Sequence, residues 1–356
     1  MNNKKISLNK NKYFSYCING FAEGCKYCVK GEKLVLFING KCKTNCWYCS
    51  LSNERKKQEQ SFANEREIKD IKDLFEEVKQ SKSTSAGITG GDPLLSIKKT
   101  MKYCKFLKEK FGKNFHIHIY LSTKFVNKKN LKKLSKYIDE VRFHPLFLIN
   151  KNETNKDLEK IRLGKEIFGV ENNGIELPMI PNQKEEILSF IKKCKNDVSF
   201  VNLNEFELSE TNFNFVTKNY KLNQGGYVIS DSINAGIWIL KNIIKEKINL
   251  KVHLCTAELK NKTQFVNRLK RYNVLPYGKK TKEGTVIYLS VYPEKDKKIK
   301  KLKKEIHSGF IDYKKNRILI DNKTALKLLK IKKYKIIRTE EFPTYDRLEV
   351  EKEEIK

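Results

Sequence analysis

The sequence predicts an α/β fold: a partial (β/α)6 barrel, preceded by a cysteine-containing N-terminal extension and followed by a small basic α+β domain. Two observations carry this. Six short apolar runs of strand length, between residues 34 and 204, alternate with segments whose apolar residues recur at helical spacing. Strand-then-helix repetition of that kind builds a parallel sheet wrapped by helices, and six units make three-quarters of an eight-unit barrel. The chain is also long, at 356 residues, so one barrel-like domain leaves room for a second, smaller one. The expected boundaries are 1–31, 32–256 and 257–356.

The first strand is read at residues 34–38, apolar on both faces and ended by Asn39-Gly40. A polar, charged stretch runs to about residue 64. Ile68, Ile71, Leu74, Phe75 and Val78 then mark a helix with one buried stripe. Strands follow at 86–89, 115–121, 141–143, 174–178 and 198–203. Between them lie helices at 97–111, with Met101, Cys104 and Leu107 on one face, and at 131–137, 158–167 and 184–193. Beyond the sixth strand come a helix at 232–245, a strand at 251–254 ending at Cys255, and an amphipathic basic helix at 263–272. The last unit reads as a strand at 285–292, a very basic helix at 297–306 and a strand at 317–320.

Composition narrows the function. Nine cysteines, an odd number, stand in a chain whose residues 1–12 are polar and basic with no apolar signal core. A reducing cytosol and metal ligation are therefore expected, rather than disulfides. No apolar run approaches the roughly 18 residues needed to span a bilayer. The net charge is +32, which attracts polyanions, RNA foremost. From residue 261 onward 27 Lys or Arg face 13 Asp or Glu, a net +14 in 96 residues, so the positive density is highest in the tail. The plainer reading is that lysine is spread along the whole chain and mostly solvates its surface.

The chemistry centres on Cys42, Cys46 and Cys49, at Cys-x3-Cys-x2-Cys spacing just after the first strand. Three thiolates can occupy three irons of a [4Fe-4S] cube and leave the fourth open, and an open metal position is what chemistry needs. A zinc loop or three core thiols are the bland alternatives. Gly90-Gly91-Asp92-Pro93 follows the second strand. Its glycines allow close backbone approach and positive φ, although alone it would pass for an ordinary turn. Barrel chemistry lies at the carboxyl ends of the strands, where both motifs fall.

Together these motifs resemble the radical S-adenosylmethionine (SAM) superfamily. With Gly24-Cys25-x2-Cys28, Glu54-Arg55-Lys56 and Ala63-Asn64-Glu65 they look more narrowly like an archaeal set related to pyruvate formate-lyase activating enzyme. The resemblance implies the three-quarter barrel, a [4Fe-4S] cluster on Cys42, Cys46 and Cys49, and SAM chelated at the free iron. It implies reductive cleavage of SAM to a 5'-deoxyadenosyl radical and an electron donor such as ferredoxin or flavodoxin. Gly90, Gly91 and Asp92 would help seat SAM, with Asp where the family motif has Glu; Tyr48 would pack near adenine. Ser122 and Thr123 would reach the ribose or carboxylate, and Glu176, Asn202 and Asn204 the adenine side.

His144, before Pro145 at the end of the fourth strand, is the candidate for substrate binding or proton relay. His116 and His118 share one face of the third strand and read as hydrogen-bonded core. Cys25-x2-Cys28, with Cys17 and Cys255, is a candidate second metal site. Its place before the first strand favours structural zinc over a second iron–sulfur cluster, and the absence of any metal is the simplest alternative. Cys104 and Cys194 read as core. The expected substrate is RNA, most simply tRNA; the alternatives are a glycyl-radical activase acting on a protein, and a non-catalytic zinc and RNA-binding module.

Overall fold

Strands of the main sheet alternate apolar and polar residues, and that alternation decides what the sheet encloses. The computed structural model describes residues 8–294, 298–331 and 333–355. The chain divides into two compact units, Met1–Lys79 with Ser83–Phe265, and Gln80–Lys82 with Val266–Lys356. The first holds a ten-stranded sheet of β1 (Tyr16–Ile18), β2 (Lys33–Phe37), β3 (Ser61–Ala63), β4 (Arg66–Ile68), β5 (Ser85–Thr89), β6 (His116–Ser122), β7 (Glu140–His144), β8 (Asn173–Met179), β9 (Phe200–Glu205) and β10 (Lys251–Cys255). Their order is β1-β10-β9-β8-β7-β6-β5-β2-β3-β4.

The six expected strands are all present, each end within two residues of its reading, and they pair in parallel in sequence order. The strand read at 251–254 becomes a seventh parallel member beside β9. Helices α1 (Glu23–Val29), α2 (Asn53–Lys57), α3 (Ile71–Ser81), α4 (Ile97–Phe111), α5 (Lys128–Leu134), α6 (Thr154–Phe168), α7 (Lys184–Cys194), α8 (Phe213–Asn219) and α9 (Ser232–Lys245) complete this unit's main elements.

Ile117, Ile119 and Leu121 of β6, Val141 and Phe143 of β7, and Ile175 and Leu177 of β8 pack into the main core with the helices. The intervening residues point to the other face: His118, Tyr120 and Ser122; Glu140, Arg142 and His144; Glu176; Asn202 and Asn204. One cavity of about 650 Å³ is lined from β2, β5, β6, β7, β8 and β9 together. Only a sheet curled around that face can do this, so the polar residues form the lumen of a partial barrel.

Three local readings change. The stretch before residue 68 is a β3–β4 hairpin turning at Asn64, whose φ of 50° suits an asparagine. Ile68 therefore ends a strand and is not part of the helix. Asp73 accepts the N–H groups of Lys69 and Asp70, and Asp70 that of Lys72, which starts α3 at Ile71. Helix α5 begins earlier than read because the Asn127 side chain caps it by accepting the Asn130 N–H. The N-terminal extension is part of the barrel: β1 pairs antiparallel with β10, and α1 enters the lumen, where the Gly24 N–H donates to Glu140 Oε2 at 3.0 Å. A Cβ at Gly24 would stand 2.5 Å from His118 Nδ1 and 2.7 Å from Arg142 Nη2, so only glycine allows this approach.

The second unit is an antiparallel sheet in the order Phe310–Asp312, Arg317–Ile320, Val286–Val291, Ile336–Glu341, Glu349–Ile355, with Lys279–Lys280 paired beside Val286–Val291. Helices Ile299–Ile306 and Asn322–Ile331 bury Leu302, Ile306 and Leu328 against Val291, Ile318 and Ile320. The expected start of the basic helix at Lys297 lies outside the described residues. The basic segment read as one helix at 263–272 is described as helix only over Val266–Arg271, after a π-helical turn at Lys260–Phe265. The tail is not uniformly basic, since its edge strand carries Glu349, Glu351, Glu353 and Glu354 on an exposed surface. Among the described residues no helix is long and apolar enough to cross a membrane.

Candidate active site

Cys42, Cys46 and Cys49 all line the cavity at the carboxyl ends of the strands. Cys42 is exposed and the other two are half-buried. The Cys42 and Cys46 sulfurs both face the Thr44 hydroxyl, at 2.9 and 3.6 Å. The far end of the loop is fastened by Ser209 and Thr211, whose hydroxyls donate to the Cys49 carbonyl at 2.7 and 2.9 Å. Trp47 anchors its middle: it stacks near Tyr220, meets Phe206 edge-on and donates through Nε1 to the Leu148 carbonyl. The near end is tied to the glycine turn. Gly91 N–H donates to Asn39 O and Asp92 N–H to Lys41 O, both at 2.7 Å. A Cβ on Gly91 would lie 2.1 Å from Lys41 O, and Gly90 has φ +145°, so both glycines are required for loop and turn to meet.

Of the predicted SAM-side residues, Tyr48, Gly90, Gly91, Ser122, Glu176 and His144 line the cavity, as does Asn204. Tyr48 lies against Cys46, and burial first, then that thiol, raises its pKa well above the usual value. Glu176 pairs with Arg142 Nη1 at 3.0 Å and accepts from Asn202 at 3.1 Å and Asn204 at 2.8 Å. Burial alone would raise its pKa, but Arg142, His144 and the two amides outweigh burial and hold it at about 2. Burial, aided by Arg142, lowers the His144 pKa against the opposing pull of Glu176, so the imidazole is neutral near pH 7.

Three predicted residues do not line this cavity. Asp92 turns inward and is buried. Its Oδ1 accepts the Leu94 N–H at 2.9 Å, while Oδ2 has no hydrogen-bond partner among the described residues. Burial lifts its pKa to about 6, opposed by the Leu94 and Ser122 backbone. Thr123 is buried and donates to Asp157, whose other oxygen accepts the Leu146 and Phe147 N–H groups. Asn202 lies deeper in the lumen than Asn204, where it holds Glu176 and faces Cys25 at 3.6 Å.

A family model for the radical SAM superfamily matches residues 36–145, which include the cysteine loop and the glycine turn. Over nearly its whole length the chain is also 34% identical to a protein of Methanocaldococcus jannaschii, covering 96% of this chain and 94% of that one. That protein is provisionally named a glycyl-radical enzyme activating enzyme. The chain belongs to the radical SAM superfamily. It is an enzyme, and as a member of that family it uses a [4Fe-4S] cluster and SAM. Two solved structures of the radical SAM methyltransferase TsrM from Kitasatospora setae align at a TM-score of 0.37, with 12% and 11% identity. They share 55% of this chain, which spans 40% and 38% of theirs.

Sequence reasoning missed several lumen residues of this radical SAM enzyme. Arg142 joins Glu140, Glu176, Tyr120 and Cys25; Lys33, Tyr120 and Lys260 line the cavity. The signal was present as alternation, in Glu140-Val141-Arg142-Phe143-His144 and in His116-Ile117-His118-Ile119-Tyr120. His118 is buried beside Gly24 and Gly87, and His116 stacks on Tyr27, so both histidines pack α1 into the lumen. Cys104 and Cys194 are buried in helices of the main core.

Cys25 meets Arg142 and Asn202 in the lumen, and α1 approaches from the amino ends of the strands, where its place before the first strand puts it. Burial pushes Cys25 up to about 11 and Cys255 to about 12. Cys17 stands opposite His253, held by the Asn11 amide at 3.7 Å. Among the described residues no three His, Cys, Asp or Glu side chains are arranged to hold a single metal ion, and this applies to Cys42, Cys46 and Cys49 as well. A cube spreads its thiolates over separate irons, so three thiols on one anchored loop fit it without converging on a point.

Proposed function

We propose that Cys42, Cys46 and Cys49 ligate the [4Fe-4S] cluster, that SAM binds in the adjoining cavity, and that the enzyme makes a glycyl radical in a protein partner. The observation that carries the reading is the backbone lacing of the cysteine loop to the Gly90–Gly91 turn within one cavity. The partner class is supported by the relative matched along 96% of this chain. Held by Cys42, Cys46 and Cys49, a reduced cluster would supply the electron for reductive cleavage of SAM, the source of the radical that abstracts hydrogen from the substrate.

The chain's own residues bind and orient. The Gly91 and Asp92 N–H groups are used by the cysteine loop, and the Gly90 and Gly91 carbonyls would accept from the amino group of SAM. Ser122 and the Glu176 carboxylate, fixed by Arg142 and Asn204, offer a hydroxyl and a permanent acceptor to the ribose and adenine. Asp92 supports this wall from behind, and Asn202 holds Glu176 from deeper in the lumen. Neutral His144 is placed to hydrogen-bond the substrate or pass a proton at its edge.

Anaerobic turnover with SAM, a reductant and fractionated cell protein or RNA tests the reading through 5'-deoxyadenosine release. The expected result is stimulation above the uncoupled background by a protein fraction, with a glycine-centred radical signal in that fraction. Stimulation by RNA alone, which the +32 charge would favour, replaces the partner assignment with RNA. No release under any condition overturns the SAM-cleavage reading.

A further inference from the structure

Almost every charge lining the cavity has a partner. Glu176 is held by Arg142 and Asn204, Glu207 by Lys260, and Glu205 by the Ala257 N–H at 2.7 Å. Among the lining lysines, Lys260 pairs with Glu207 and Lys41 with Glu59 at 3.0 Å, while Lys56 is exposed to solvent. Lys33 is the exception. Half-buried at the start of β2, it lines the cavity, and no carboxylate pairs with it among the described residues. Its side chain runs past Gly87, where a Cβ would stand 3.2 Å from Lys33 Cδ and 2.7 Å from His118 Nε2, so the glycine leaves the passage open. Burial works against the lysine's charge, and the groups that favour it are the Cys28 thiol and the Tyr120 hydroxyl. A cation in such a place gains little until an anion joins it.

We propose that the inner end of the cavity seats a carboxylate of the substrate, with Lys33 as its counter-ion and the Tyr120 hydroxyl as a second donor. This end is separate from the SAM side. Lys33 and Val35 lie in the first rows of the parallel sheet, opposite Ser85 and Gly87, whereas Gly90, Gly91, Ser122 and His144 stand at or beyond the carboxyl ends of the strands. Tyr120 presents its hydroxyl beside Arg142 Nη1 at 3.4 Å and His118 Nε2 at 3.3 Å, which fixes its direction. A singly charged anion fits best. One ammonium and one phenol face it, and Glu176, Glu205 and Glu207 around the same cavity repel a doubly charged phosphate. The carboxylate has two sources of equal chemistry, an acidic side chain beside the glycine of a protein partner and a free organic acid.

The inference rests on the reading of this cavity as the seat of SAM and substrate, and binding measured without a reductant tests it apart from SAM cleavage. SAM-loaded holoenzyme is titrated in a calorimeter with synthetic glycine-centred peptides carrying Glu, Gln or Lys beside the glycine, and with glutarate and inorganic phosphate. Wild type should bind the Glu peptide about tenfold tighter than the Gln peptide. Lys33→Gln should bind the two alike, and Lys33→Glu should prefer the Lys peptide. Tighter binding of glutarate than of the Glu peptide supports the seat and assigns it to a free acid. Wild type that ignores both the Glu peptide and glutarate, or that prefers phosphate, overturns the proposal, as does an acid preference that survives in Lys33→Gln. A Lys33→Gln variant that loses affinity for SAM alone gives the lysine to the carboxylate of SAM and also overturns it. If the Lys33 variants fail to fold, Tyr120→Phe decides: binding of the Glu peptide weakened by about threefold with the Gln peptide unchanged supports the seat, and no change overturns it.

Discussion

The cysteines of the loop and those carried on α1 and β10 stand in opposite surroundings. Cys42, Cys46 and Cys49 sit on a loop at its mouth, partly open to solvent, held by hydroxyls, an aromatic nest and the glycine turn. Cys25, Cys28 and Cys255 are carried on regular elements, α1 and the end of β10, among Arg142, Lys33 and Lys260. Identical side chains therefore do different work. At the mouth, backbone geometry leaves room for a small molecule beside the sulfurs. Within the lumen, charge and packing tie the sulfurs to the walls, so a change there reaches stability as well as chemistry.

The sharpest break of that contrast is Cys46→Ala. It should abolish 5'-deoxyadenosine formation, well beyond the roughly 10–100-fold typical of an outer partner's loss, with the melting temperature little changed. Arg142→Gln should do the reverse. It leaves Glu140 and Glu176 buried without their cation and should cost about 3–5 kcal/mol in urea unfolding, whatever happens to SAM cleavage. Gly91→Ala probes the lacing at the mouth. Its Cβ would press on the Lys41 carbonyl, which should cost about 1–3 kcal/mol and weaken SAM binding in calorimetry.

The smallest effect is a pH dependence at Asp92. Its folded pKa is raised to about 6 from the ordinary 3.8, so the folded state holds the proton more tightly. Stability from this group is present below about pH 4 and lost as pH rises through 6. Asp92→Asn, which keeps an acceptor for Leu94, should match wild type at pH 4 and exceed it by about 1–2 kcal/mol at pH 7 in thermal melts. A constant gap across that range would place the effect in the cap rather than in the ionisation.

Much of this was legible in the chain because the signals are local. Six parallel strands announce themselves as apolar runs, and helix Ile97–Phe111 as a 3.6-residue stripe. The triad and the glycine turn are motifs of eight and four residues whose meaning survives without neighbours. Ile68 misled because one apolar residue satisfies either period; the hairpin turn at Asn64 and the carboxylates of Asp70 and Asp73 decided between them. Thr123 misled because a strand end does not say which side of the wall a side chain takes, and Asn202 because it lies on the lumen face but deeper than the cavity lining.

The sequence by itself determined the α/β class, the order of the strands and the chemistry of the Cys42–Cys49 loop, since each depends on residues within a few positions of one another. Only the tertiary structure decided that the N-terminal extension fills the lumen, because that rests on contacts such as Gly24 with Glu140, more than a hundred residues apart. The same long-range closure set Arg142 between two glutamates and against Cys25. Spacing can nominate ligands on one loop; burial and charge, which belong to the folded chain, decide which distant side chains meet.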